Sequence, residues 1–250
     1  MATYKDKISV LRTYELGESD KIAICLSEEH GKISLIVKGA RKTGSRFAGS
    51  MQPFTSGFAM IYLGKSLDIL SQFEISEAFL PIKTDLLRQS AGMVMSEAIE
   101  ISIEKSYPSF GIFRLYEAAL GNLCRSSFIS LSLYSFLLQL LAETGYRPEL
   151  KHCTVCGSGN GLEVAKPLYS PRSGGIVCRS CANQVNDCLI IDQAAVLQLE
   201  SLLGYGWAES ETSFEGFMVS KKVAYIIEEM SNFHWERKMK SIGFLKKVFG

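Results

Sequence analysis

Cys153-Thr-Val-Cys156 is followed, after twenty-one residues, by Cys178-Arg-Ser-Cys181. Each Cys-x2-Cys pair makes a tight knuckle whose two thiolates point at one centre, and the intervening loop brings the knuckles together, which suits tetrahedral Zn²⁺. The spacer exceeds the usual upper limit of about 20 residues by one. Gly157, Gly159 and Gly161 follow the first pair and Gly174-Gly175 precede the second. They permit the positive φ that knuckle turns demand and leave room for amides to approach the thiolates. Leu162-Glu-Val-Ala165 and Leu168-Tyr-Ser-Pro171 read as short strands of a zinc ribbon. Two structural disulfides, or four unrelated buried thiols, are the alternative readings. Zinc held by Cys153, Cys156, Cys178 and Cys181 has no open coordination position, so it is expected to be structural and not catalytic.

Working outward, the chain has 250 residues, enough for one large domain or two to three small ones. A hydrophobic fraction of 47% and a charged fraction of 21% are those of an ordinary globular protein, and a net charge of +1 declares no polyanionic partner. Any nucleic-acid surface must come from local segregation of charge. Of seven cysteines, four go to the metal, and Cys25, Cys124 and Cys188 read as small core residues. The pattern suits a reducing cytoplasm. Lys5, Asp6, Lys7, Arg12 and Glu15 leave no signal-peptide core, and the most apolar run, 128–142, is shorter than the roughly 20 residues of a membrane span.

From Lys7 to about Ile75 the pattern predicts strands: Lys7 to Tyr14, Lys21 to Leu26, Ile33 to Val37, Phe58 to Leu63 and Leu67 to Phe73, with a hairpin turn at Glu28-Glu-His-Gly31. Five short strands with glycine-rich connections predict an OB-fold barrel over about 1–80. From Lys83 the period becomes helical. A first helix takes in Leu86 to Ile99, Pro108 marks a break, and a second takes in Phe113 to Leu123. A third runs from Ile129 to Glu143 and closes at Thr144-Gly145, with Gly145 at C′. Asp192 caps a helix ending at Gly204, and Val223 to about Phe233 makes the last. The expected class is α+β and multidomain: an OB-fold barrel, then a helical domain over 81–250 with the four-cysteine zinc-ribbon-like module inserted at about 150–190.

Between Glu29 and Asp68 there is no acidic residue, whereas Lys32, Lys38, Arg41, Lys42, Arg46 and Lys65 fall there. Lys38-Gly-Ala-Arg-Lys-Thr-Gly-Ser-Arg46 is a basic loop flanked by Phe47 and Phe54. Cations and backbone amides neutralise phosphates, and aromatic rings stack on unpaired bases. A solvated loop beside core aromatics is the plainer reading. A second acid-free run, after Glu236, carries Arg237, Lys238, Lys240, Lys246 and Lys247 among apolar residues. It reads as an amphipathic helix with a basic face for DNA, or equally as a tail whose hydrophobes dock on the body.

Catalytic motifs fail. Gly64-Lys65-Ser66 ends like a phosphate-binding loop, but the glycine needed five positions earlier is Ala59. Gly39 to Gly44 has the spacing and is followed by Ser45-Arg46, and Gly204-Tyr-Gly206 lacks its third glycine. A zinc deaminase needs His-x-Glu, and none of His30, His152 and His234 has Glu two residues on. His152, next to Cys153, reads as a surface residue and not as a ligand.

A barrel with Lys38-Gly-Ala-Arg41, Ser45-Arg46 and Gln52-Pro-Phe54, then helices, Gly145-Tyr-Arg-Pro148, two Cys pairs enclosing Ser170-Pro-Arg-Ser-Gly-Gly175, and a basic ending around Lys240-Ser241 together resemble the bacterial recombination mediator family RecO. The likeness covers nearly the whole chain. It implies a non-enzymatic role in DNA repair and recombination in the bacterial cytoplasm, associated with the nucleoid. It implies binding of single- and double-stranded DNA, strand annealing and, with RecR, help for RecA in replacing single-stranded DNA-binding protein (SSB). Lys38, Arg41 and Arg46 match the family's barrel segment and are the expected DNA contacts, with Lys42 and Lys32 beside them and Arg237, Lys238 and Lys240 from the C-terminal run. Two rivals stand beside this reading: a zinc-ribbon adaptor that binds only proteins, and a nuclease.

Overall fold

Residues 31–37 alternate between buried and half-buried positions, as a strand does with one face on a core. In a computed structural model, which describes residues 2–105, 110–159, 167–207 and 217–249, this segment is β3 (Gly31–Val37) of a closed barrel. Its partners are β1 (Thr3–Leu16), β2 (Asp20–Ser27), β4 (Ser56–Tyr62) and β5 (Asp68–Glu77), in the order β1-β2-β3-β5-β4. All neighbours are antiparallel except β3 and β5, which meet in parallel at Leu35 with Asp68 and Ile36 with Ile69. This is the expected OB-like barrel, with each of the five expected strands present and β1 and β5 longer than expected.

β1 is long because it serves two neighbours. Thr3 to Ser9 pairs with β4 and Ile8 to Leu16 with β2, and the register slips between Val10 and Arg12. The extra residue, Leu11, makes a bulge that bends the strand from one partner to the other. Ile8, Val10, Cys25, Leu35 and Ile61 fill the interior with no exposed surface. At Gly57 a Cβ would lie 2.1 Å from the Glu74 carbonyl oxygen, so only glycine lets β4 and β5 approach there.

The chain continues as α1 (Leu80–Thr84), α2 (Leu86–Ser102), α3 (Phe110–Arg125), α4 (Ile129–Glu143), β6 (Leu168–Ser170), β7 (Gly175–Val177), β8 (Leu189–Ile190), α5 (Gln193–Leu203), α6 (Lys221–His234) and α7 (Lys240–Phe249). The short α1 adds to the expected helices, α7 realises the helix reading of the C-terminal run, and Leu162-Glu-Val-Ala165 and Pro108 lie outside the described residues. Two compact units result, 1–125 with 241–250, and 126–240.

In the first unit the helices are tied to the barrel by specific pairs. Lys7 of β1 meets Glu117 of α3 and lies 5.3 Å from the Phe113 ring centroid, while Arg12 meets Glu100 of α2. Asp85 caps α2 by accepting from the Arg88 amide at 2.8 Å. The chain returns at its end: the Ser241 amide donates to Glu97 Oε2 at 2.8 Å, and Ile242 and Leu245 of α7 are buried. The C-terminal run is thus both a helix and a docked tail.

In the second unit α4 is buried nearly all round. The half-buried Gln139 of α4 donates to the Leu202 and Tyr205 carbonyls at 3.1 and 3.0 Å and accepts from Trp207 Nε1 at 2.9 Å, which satisfies its amide. Asp192 caps α5 as expected, accepting from the Ala195 amide at 2.8 Å, and Ser220 caps α6 through Val223. α5 ends at Gly204.

Gly92 sets the approach of α2 to the segment entering β4. A Cβ there would lie 2.9 Å from Phe54 Cε1 and 3.1 Å from Ile82 Cγ2, and both side chains are buried. Gly92→Leu is expected to lower stability by about 1–3 kcal/mol through overpacking, read as a fall in the urea midpoint at unchanged slope.

Candidate functional site

The first Cys pair sits in a turn closed by two backbone bonds, from Gly157 N to the Cys153 carbonyl and from Cys153 N to the Ser158 carbonyl, each 2.8 Å. Gly157 takes φ 72°, the positive value expected of a knuckle glycine. The second pair opens a 3-10 turn over Arg179–Gln184, where Cys181 N donates to the Cys178 carbonyl at 3.0 Å. The pairs are joined by β6 and β7, with β8 on the far edge of β6, and Thr154 N donates to the Ile176 carbonyl at 2.9 Å. Leu168 to Ser170 is therefore a strand of the ribbon, as predicted.

This scaffold brings the sulfurs of Cys153, Cys156, Cys178 and Cys181 within 4.8 Å of one another. Zn–S bonds of about 2.3 Å at tetrahedral angles place sulfurs about 3.8 Å apart. Cys156 Sγ and Cys178 Sγ are 3.8 Å apart, so the donor set fits a metal held by four thiolates. All four are free thiols gathered round one point and not paired as disulfides. Burial pushes the Cys153 thiol up, but the amides of Cys178, Cys156 and Val155 outweigh it and bring it down to about 6. Cys181 is pushed up to about 12, first by its contact with Cys178 and then by burial and by Cys156. Four thiols this close do not all ionise without a cation among them. His152 stays out of the cluster: its ring is more than half exposed and its Nδ1 lies 3.5 Å from Glu149 Oε1.

On the barrel, Lys38, Arg41, Lys42 and Arg46 are all exposed in the connection between β3 and β4. Two of them are held by the protein itself. Arg41 Nη1 donates to the Gly17 carbonyl at 2.9 Å and its Nη2 lies 3.2 Å from Glu15 Oε2. Arg46 Nη2 donates to the Ser71 carbonyl at 2.7 Å, and its guanidinium lies 4.8 Å from the Phe47 ring centroid. The loop is acid-free only along the chain: Asp20 accepts from Gly39 N at 2.8 Å and also faces Lys38 and Lys42. The flanking rings are not stacking platforms. Phe47 is 6% and Phe54 3% exposed, because both serve the core, which is the plainer of the two readings. Lys32 is half-buried and donates to the Glu100 carbonyl of α2. Arg237, Lys238 and Lys240 are exposed between α6 and the first turn of α7.

One cluster spans sequence gaps that no motif joins. Asp6 accepts from Ser27 Oγ and lies 2.7 Å from His30 Nδ1, while His30 N donates to Ser27 Oγ at 2.9 Å. The composition is that of a hydrolytic triad, but Ser27 gives its proton to the carboxylate and not to the imidazole, so no nucleophile and base are paired. The cluster pins the β2–β3 turn to β1.

Among known sequences, the family described as Recombination protein O N terminal matches residues 1–79, and that described as Recombination protein O C terminal matches residues 83–241. A relative from Bifidobacterium adolescentis, named DNA repair protein RecO, is 31% identical over 249 residues, covering 98% of this chain and 100% of its own. One of the same name from Desulforamulus reducens is 28% identical over 253 residues, covering 100% of this chain and 96% of its own. A third, from Thermobifida fusca, is 35% identical over 221 residues, with 86% and 87% covered.

Asp20 gives the basic loop a pH response. The Gly39 amide and then the Ser19 hydroxyl hold its carboxyl below the ordinary value of 3.8. A depressed carboxylate contributes stability that is fully present above the ordinary value and is lost as pH falls through the lowered one. The Gly39 amide proton is expected to titrate with a midpoint below pH 3.8 by NMR, and Asp20→Asn to remove that midpoint.

Proposed function

The chain belongs to the RecO family, and from that premise we propose that it is a DNA-binding protein of repair and homologous recombination that anneals complementary strands without catalysing bond cleavage. The observation that carries this reading is a closed barrel of OB-like order with Lys38, Arg41, Lys42 and Arg46 exposed on one connection. Such barrels hold open strands in basic grooves. Annealing is opposed by repulsion between two phosphate backbones. Cations that neutralise both lower that barrier and leave base pairing to choose the partner, so binding tolerates any sequence and weakens with salt. Lys38 and Lys42 carry most of this contact. Arg41 and Arg46, held by Glu15, Gly17 and Ser71, shape the loop and present their remaining N–H groups. Lys32 stiffens the barrel where it meets α2, and Arg237, Lys238 and Lys240 give the second unit basic residues of its own.

In the cell, by likeness to its family, the protein acts with RecR to load RecA on SSB-coated single strands at the nucleoid. Cys153, Cys156, Cys178 and Cys181 hold one structural Zn²⁺, which supplies the positive charge that lets four thiolates lie together. An all-thiolate set leaves no coordination position for a substrate, so the metal shapes the second unit and does not act on DNA.

Two measurements test the proposal. The double variant Lys38→Ala/Lys42→Ala is expected to bind single-stranded DNA more weakly, with the slope of log affinity against log salt shallower by roughly 1.4, about 0.7 for each phosphate that the variant no longer neutralises. It should also slow annealing of complementary oligonucleotides, whereas an unchanged slope and rate would remove the loop as the contact. If the wild-type protein at low salt binds no DNA, the protein-only adaptor gains. Protein purified without chelator should carry one zinc per chain, and Cys178→Ser should lose it together with part of its thermal stability. Zinc-free wild-type protein of undiminished stability would sink the metal assignment.

A further inference from the structure

Two stretches that mark the family likeness outside the barrel, Gly145-Tyr-Arg-Pro148 and Ser170-Pro-Arg-Ser-Gly-Gly175, meet within the second unit. α4 ends in a Schellman turn, with Gly145 at φ 93° donating to the Ala142 carbonyl at 3.2 Å and Tyr146 N to the Leu141 carbonyl at 2.7 Å. The turn carries Tyr146 off the helix line and stacks its ring on His234 at the end of α6, with centroids 4.4 Å apart and planes 24° from parallel. His234 in turn meets Phe233 edge-on at 5.1 Å. The Arg172 guanidinium lies 5.4 Å from the Phe233 ring centroid.

Arg172 is placed by a rigid turn. Asp187 accepts from Ser170 Oγ at 2.6 Å and from Arg172 N at 2.8 Å, and Ser173 N donates to Ser170 Oγ at 3.0 Å. Burial lowers the pKa of His234 despite its bond to the Pro171 carbonyl, so the stack under Tyr146 is neutral at pH 7. Tyr146 and Phe233 are 39% and 47% exposed, and both line a cleft of about 530 Å³ with His234, Arg237 and Lys238. That volume lies within the roughly 300–1,000 Å³ of small-ligand sites. Glu236 also lines the cleft and offsets one of its two lining cations, Arg237 and Lys238, while Arg172 lies beside it on Phe233.

We propose that this cleft takes one unpaired nucleobase of a single-stranded nucleic acid against Tyr146 and Phe233, with the adjoining phosphates on Arg172, Arg237 and Lys238. The inference rests on the DNA-binding reading above and adds to it a second site that engages the base and not only the backbone. Stacking on a ring face is open to any base, so the site is sequence-tolerant, and it excludes duplex, whose bases are already stacked on one another. An acidic peptide would meet the cations and leave the two ring faces in water. A planar base with its phosphates meets both.

The test compares full-length wild-type protein, Tyr146→Ala, Phe233→Ala and Tyr146→Phe on a thymidine oligonucleotide and on an abasic strand of the same length. Zinc content and melting temperature report that each variant is folded. Wild type is expected to bind the thymidine strand more tightly than the abasic one. Tyr146→Ala should weaken thymidine binding roughly 5- to 150-fold, the range for one base on one aromatic ring, leaving abasic binding unchanged. Tyr146→Phe should stay within about twofold of wild type. If Tyr146→Ala does not fold, the exposed Phe233→Ala carries the same expectation. Variants that bind both strands as wild type does, or a wild type that does not discriminate the strands, overturn the proposal while DNA binding through the barrel stands. A wild type that binds neither strand removes both. Loss of oligoglutamate binding in Tyr146→Ala with thymidine binding intact overturns it in favour of a protein partner.

Discussion

Four sulfurs within 4.8 Å of one another constrain everything built around them. Among the described residues, the apolar cluster that joins the two knuckles takes in Cys153, Cys178, Cys181, Cys188, Leu168, Val177 and Val185, and four of these are cysteines. A cation held at the centre of Cys153, Cys156, Cys178 and Cys181 would let all four thiolates lie together, and its affinity would then be part of the stability of β6, β7 and the two knuckles.

Charge along a chain and charge in space differ in the basic loop. No acid interrupts the chain from Glu29 to Asp68, yet Glu15 and Asp20, from the end of β1 and the start of β2, lie against the loop. They order the loop and reduce its net charge in one stroke. Glu15 bonds Arg41 directly, whereas Asp20 only faces Lys38 and Lys42, whose side chains are exposed. The arginines hold geometry, which their planar, forked donors do well.

The barrel was legible because its strands carry a period-two pattern with one face on a core, as Ile33, Leu35 and Val37 do. Asp192 and Gly145 were legible for a different reason, since caps act over three or four residues. The rest required folding. Phe47 and Phe54 flank cations in sequence and point into the core in space, a distinction that exposure decides and composition does not. Asp6, Ser27 and His30 are brought together by strand pairing, and Tyr146 and His234 by helix packing, across separations that carry no local signal. α7 was ambiguous because its basic and apolar residues fit a free amphipathic helix and a docked tail equally well until Ile242 and Leu245 were found buried. The four cysteines were the easiest to read, because a metal site needs particular atoms at particular spacings and tolerates few substitutes.

The return of the chain to its first unit matters during synthesis. Residues 126–240 form a separate body between α3 and Ser241, which bonds to Glu97 across 144 positions. Closing so long a loop adds little to the equilibrium cost, which grows only with the logarithm of its length. Its effect is on timing. A ribosome emits residues from the N-terminus, so the barrel and its helices emerge first, yet they wait without α7 until residues 126–240 have been translated. The first unit is completed only once Ile242 and Leu245 follow and reach their buried positions.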